Sequence, residues 1–264
     1  MKTDLAFPPL LNAVLAVVVL VVGVPIVYFL SKALMLRSRP MTIANPRREM
    51  TPVFLVIIAV CAGISIRALV YKLPPWLHVN AIDLLFFAFY YAILLLPVII
   101  AMKSTGQNLG SMGINGRDMG RMVVLGLTLS AILFTVQGFI APSVGGGFTG
   151  FSLSQAYGLM LFTMVGFSEE IVWRGYVQTR LIAYSGTIKG LVAASLLFAL
   201  WHFPLRYYQF SGVALEAFAS ALMIFPAPSL LFGFLMLRSQ NIIPPAVFHL
   251  FWDWSILFWQ LPTA

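Results

Sequence analysis

The chain has 264 residues, of which 61 % are hydrophobic and only 9 % charged, with a mean hydropathy of +0.96. That balance excludes a soluble globular domain, and residues 1–264 read as a single transmembrane domain. The formal charge of +8, from 16 Lys and Arg against 8 Asp and Glu, implies cationic loops against anionic lipid headgroups and no nucleic-acid partner.

About twenty apolar residues cross a bilayer core, and eight stretches qualify: 9–31, 52–71, 81–102, 121–141, 155–180, 189–207, 214–237 and 242–260. The first lacks an Ala-x-Ala site and is too long for a signal h-region, so it reads as a retained span. Lipid offers no water to strand edges and nothing alternates like a barrel, so the fold class is all-α, a polytopic helical bundle. The single cysteine, Cys61, lies in the second stretch, excludes an internal disulfide and reads as a packed thiol.

The connections carry Pro40, Pro46 and Pro52, then Pro74-Pro75, Gly106 to Gly116, Gly145-Gly146-Gly147 and Pro244-Pro245. Pro226 and Pro228 predict a kink in the seventh stretch. The glycine run 145–150 lacks a following Lys-Ser/Thr and reads as a turn, and Gly186-x-x-x-Gly190 fits close helix packing. Arg37, Arg39, Arg47 and Arg48 read as a headgroup-contacting loop. Lys and Arg number eleven on one side (Lys32, Arg37, Arg39, Arg47, Arg48, Lys103, Arg117, Arg121, Arg180, Lys189, Arg238) and four on the other (Lys2, Arg67, Lys72, Arg206). The positive-inside rule then puts both termini outside the cytoplasm. Short loops and compact length fit a prokaryotic cell membrane.

Few ionisable residues remain inside the stretches, and each is by default a functional candidate. They are Glu169, Glu170 and Arg174 in the fifth, His202 in the sixth, Glu216 at the start of the seventh, and His249 with Asp253 in the eighth. Glu170 and Arg174 are four apart, acid first, which favours a structural ion pair on one helical face. Glu169 lies about 100° around the helix and is left for chemistry. Phe198 precedes His202 by four and can brace it, and His249 precedes Asp253 by four. Counted at about 1.5 Å per residue from the cytoplasmic ends, Glu169 lies about 17 Å deep, His202 about 20 Å, His249 about 10 Å and Asp253 about 17 Å. One polar cavity therefore fits better than four unrelated defects. Asp83 and Glu216 read as interfacial, and His78, in Pro-Pro-Trp-Leu-His, as a surface residue.

Two chemistries stay open for this set. In one, Glu169 with His202 deprotonates water and His249 stabilises an oxyanion. In the other, Glu169, His202, His249 and Asp253 hold a divalent metal such as zinc that activates the water.

Glu169-Glu170-Ile-Val-Trp-Arg174, Phe198-Ala-Leu-Trp-His202 and His249-Leu-Phe-Trp-Asp253 resemble, in order and spacing, the motifs of the CAAX protease and bacteriocin-processing family. That family includes the type II CAAX prenyl endopeptidases. The resemblance covers about residues 155–260. It implies an intramembrane endopeptidase of peptides or lipidated proteins, with Glu169 and His202 activating water. It further implies His249 and residue 253 at the oxyanion, and Arg174 supporting through Glu170. Members that cleave prenylated proteins carry Asn where this chain has Asp253, and an ionised Asp donates no hydrogen bond. A proton-coupled transporter or channel, and a non-catalytic bacteriocin-immunity protein, are the competing readings; the transporter lacks an inverted repeat.

Overall fold

The computed structural model describes residues 9–36, 41–71, 79–143, 147–209 and 212–260. Lys2, Arg37, Arg39, Pro40, Lys72, Pro74-Pro75, His78 and Gly145-Gly146 lie outside them. The fold is all-α, a polytopic bundle in which each of the eight predicted stretches is helical. Among the described residues, five helical segments are long and apolar enough to cross a membrane: Pro46–Val70, Ala81–Thr105, Met119–Ile140, Thr187–Tyr208 and Ala214–Ser239.

The first four helices run unbroken: α1 (Pro9–Ala33), α2 (Pro46–Val70), α3 (Ala81–Thr105) and α4 (Met119–Ser143). The rest are broken, and the breaks follow the motifs. The fifth segment passes from α5 (Leu153–Glu170) into a π-helical stretch, Ile171–Gln178, before α6 (Thr179–Ser185). Regular α-geometry through Arg174 is thus corrected: the widened turns start next to the paired glutamates, and such π segments favour functional sites. The sixth divides at His202 into α7 (Thr187–Trp201) and α8 (Phe203–Gln209). The seventh divides at Phe225 into α9 (Ala214–Ile224) and α10 (Pro226–Ser239), with Pro226 in the first turn of α10, as its ring requires. The eighth, α11 (Ile243–Ser255), has 13 residues and ends earlier than its hydropathy suggests. A 3₁₀ turn, Ile256–Phe258, follows, and then two residues pair antiparallel with Gly147–Phe148.

α11 packs between α4 and α5. Gly166 makes this possible, because a Cβ there would stand 2.8 Å from the Leu250 amide nitrogen and 2.9 Å from the Ala246 carbonyl oxygen. Both obstacles are backbone and cannot yield. At Gly190 a Cβ would meet the Ile182 nitrogen at 2.4 Å, so the predicted small-residue contact brings α7 onto α6. Trp201 fastens α7 to α2 by donating to the Val60 carbonyl at 2.9 Å.

Several charges sit elsewhere than the sequence suggests. Arg180, expected in a loop, is fully buried and pairs with Glu49 at 3.4 Å. Its other nitrogens donate to Ser111 Oγ at 2.8 Å, Ser111 O at 3.2 Å and Thr179 Oγ1 at 2.9 Å, while Gln107 donates to Glu49 at 3.2 Å. This staple ties α2, the end of α3, the turn after it and α6 together. Asp83 is no free interfacial acid: it is buried, closes the N-terminal capping box of α3 with Asn80, and accepts from Tyr71. Arg67 is buried rather than in a loop. Arg238 donates to Ser31 and lies over Tyr28. Glu216 is exposed in the first turn of α9, and Cys61 is half-buried against the core.

Candidate active site

The close approach at Gly166 sets the end of α5 against the middle of α11, and there the motif acids meet the imidazole of His249. The His249 Nδ1–H donates to Glu170 Oε1 at 2.8 Å. The same oxygen faces Arg174 Nη1 at 3.0 Å. Glu170 is therefore more than half of an ion pair, because it also fixes the ring orientation of His249. Arg174 is held in turn: Nη2 donates to Ser229 Oγ at 3.0 Å, and its guanidinium lies over Phe198 at 4.3 Å and Phe232 at 5.3 Å. Phe232 stacks on the His249 ring at 4.8 Å.

The second nitrogen of His249 is the outward one. Nε2 stands 3.4 Å from Asp253 Oδ2 and 4.0 Å from Glu169 Oε2. Three carboxylates thus surround one imidazole, with Arg174 behind them. Glu169 Oε1 accepts from the Tyr91 hydroxyl at 3.2 Å, across from α3. The Asp253 side chain is 28 % exposed, against 6 % for those of His249 and Glu169, so the cluster opens to its surroundings past Asp253.

His202 stands apart. No hydrogen bond or ion pair joins it to Glu169 in the structure; its partner is the Phe198 carbonyl, 2.9 Å from Nδ1. A carbonyl only accepts, so Nδ1 carries the hydrogen and the lone pair of a neutral ring lies on Nε2. The Phe198 ring stands between the imidazoles, 4.7 Å from His202 and 6.2 Å from His249. Phe225, displaced by the break between α9 and α10, stacks on His202 at 3.9 Å. The structure thus gathers Glu169, Glu170, Arg174, His249 and Asp253 into one contact cluster and sets His202 beside it, across Phe198.

Among the described residues, no three His, Cys, Asp or Glu side chains converge as a metal-ligand set. Nδ1 of His202 and Nδ1 of His249 are each engaged, by the Phe198 carbonyl and by Glu170. Tyr91, Ser229, Phe232 and Phe225 are the neighbours that sequence reasoning misses. For Ser229 the kink at Pro226 is a usable signal, since it turns the first helical turn of α10 inward. The aromatic residues lie in runs where such side chains are ordinary lipid or core contacts.

No curated protein and no solved structure matches the chain. Residues 151–255, which hold all three motifs and every residue of this cluster except Tyr91, match the model of one family, so that over this segment the chain is similar to the Rce1-like family, described as Type II CAAX prenyl endopeptidase Rce1-like.

Proposed function

We propose that the chain is an intramembrane endopeptidase that hydrolyses a peptide bond in a membrane-associated or prenylated peptide, with Glu169 as the proton acceptor. The observation that carries this reading is an acid, Glu169, facing Nε2 of an imidazole whose other nitrogen is fixed by the Glu170–Arg174 pair.

In the proposed reaction Glu169 removes a proton from water while the water oxygen attacks the scissile carbonyl. His202, with its lone pair on Nε2, orients the same water by accepting its second O–H. The Nε2–H of His249 donates to the oxyanion as it forms, and Glu170 keeps the ring aimed there through Nδ1. The intermediate then collapses, the C–N bond breaks, and protonated Glu169 returns its proton to the leaving amine. Asp253 accepts from His249 and orients it. At 3.4 Å that contact is long for a hydrogen bond, which leaves the N–H available to an oxyanion.

An apolar groove of about 650 Å³ supports a lipidated substrate. It runs along α3 and α5, lined by Leu84, Leu85, Ala88, Met160 and Met164 among others, its nearest lining residues being three positions from Tyr91 and five from Glu169. The testing experiment incubates purified protein, wild type and Glu169→Gln, with a prenylated CAAX peptide and reads products by mass spectrometry. Cleavage by the wild type alone is the expected result; equal cleavage by both removes Glu169 from the mechanism.

A further inference from the structure

The three motifs all lie within residues 151–255, in the second half of the chain. One polar contact at the site comes from the first half. The Tyr91 hydroxyl, on α3, donates to Glu169 Oε1 at 3.2 Å across 78 positions of sequence. Tyr91 is 3 % exposed, and its ring is set against Tyr90 at 4.9 Å and Phe87 at 6.1 Å. A ring packed in this way holds its hydroxyl oxygen in one place, so the phenol directs the carboxylate and does not follow it. The other oxygen, Glu169 Oε2, stands 4.0 Å from His249 Nε2, beyond hydrogen-bond length.

A carboxylate has two equivalent oxygens, and an unconstrained side chain presents either of them. With Oε1 bonded to a phenol, Oε2 is left to take the proton from water. Oε2 is also the oxygen that faces His249, where the oxyanion of the proposed reaction would form. Once the proton sits on Oε2, Oε1 still accepts from Tyr91 as a carbonyl oxygen, so the contact persists through the proton transfer. The neighbouring tyrosine provides a contrast. The Tyr90 hydroxyl is buried with no hydrogen-bond partner among the described residues.

We infer that Tyr91 is a positioning residue for the reaction, holding Glu169 by Oε1 so that Oε2 serves as the base. This rests on the endopeptidase reading and adds to it a working part supplied by α3, outside the segment that matches the family.

The test removes one hydroxyl at a time, as Tyr91→Phe and Tyr90→Phe in the full-length protein, assayed on a prenylated CAAX peptide. Tyr91→Phe is expected to lower kcat about 10- to 100-fold, the span of one hydrogen bond to a charged group, with KM within about twofold. Tyr90→Phe, the same chemical change with no bond to lose, leaves both constants near wild type. In a Glu169→Asp background the shorter acid has already left Tyr91, so adding Tyr91→Phe costs less than about threefold. Infrared spectra read the contact without turnover: the carboxyl bands of Glu169, identified by their loss in Glu169→Gln, shift in Tyr91→Phe. Wild-type kcat in Tyr91→Phe, equal losses in the two tyrosine variants, or an undiminished loss in the Glu169→Asp background overturns the positioning role. So do Glu169 bands that do not move. Bands that shift while the wild-type protein cleaves nothing refute the endopeptidase reading and leave the hold of Tyr91 on Glu169 standing.

Discussion

Two buried ion pairs have their arginines six residues apart on the same segment, and they differ in what is left over. In the Glu49–Arg180 pair both carboxylate oxygens accept and every guanidinium nitrogen donates, to Ser111, Thr179, Met102 or Glu49 itself. The Glu170–Arg174 pair shares one carboxylate oxygen between Arg174 and His249, while Glu170 Oε2 has no partner. Beyond it lie a second acid, Glu169, and a partly exposed third, Asp253. A saturated pair is a fastening. The other pair keeps a carboxylate oxygen unused and faces an imidazole near an opening, which is the arrangement the proposed proton transfer requires.

The sharpest way to break this contrast is Glu169→Gln, which is expected to lower kcat by about 10²–10⁴-fold. Thermal unfolding should stay near wild type, since Glu169 has one hydrogen bond to lose, that from Tyr91. Next, Arg180→Met should cost about 3–5 kcal/mol of stability by leaving Glu49 buried and unpaired. Turnover per folded molecule should be unchanged, and Glu49→Leu added to it should recover much of the loss, as read by thermal unfolding in detergent. If turnover falls with stability, the two pairs are not separate devices. Gly166→Ala sharpens the geometric side: forcing α5 from α11 displaces Glu169 from His249, and about 10²-fold of activity should go, consistent with a misplacement near 1 Å. The smallest effect belongs to Asp253→Asn, within about tenfold in kcat/KM, because an amide oxygen still accepts from His249 and orients it.

The contact cluster was largely legible in the sequence, for a physical reason. Charges in an apolar run are conspicuous, and spacings of four place Glu170 by Arg174 and His249 by Asp253 without knowledge of the fold. What stayed hidden depended on tertiary placement. Nothing local in Glu169-Glu170 shows that Glu170 bonds His249, and the π-helical turns after it leave no mark on periodicity. Arg180 reads as a loop cation because it closes the fifth apolar stretch, yet its partner lies 131 positions away in α2. Arg67 was counted as a loop charge for the same reason, its nearness to the end of an apolar run. The helical fold itself was plain from composition, whereas the breaks at His202 and Phe225 fall inside runs whose hydropathy is continuous.

The brevity of α11 has a consequence for how the bundle is closed beyond the cluster. Thirteen residues rise about 20 Å, which falls short of the about 30 Å hydrocarbon thickness by a third. A leaflet thins beside a short element that faces lipid, whereas α11 is packed between α4 and α5 with no exposed residue along its length. The shortfall therefore lies inside the bundle, where the level beyond the helix that bears His249 and Asp253 is closed by the 3₁₀ turn Ile256–Phe258 and by the two-residue pairing with Gly147–Phe148.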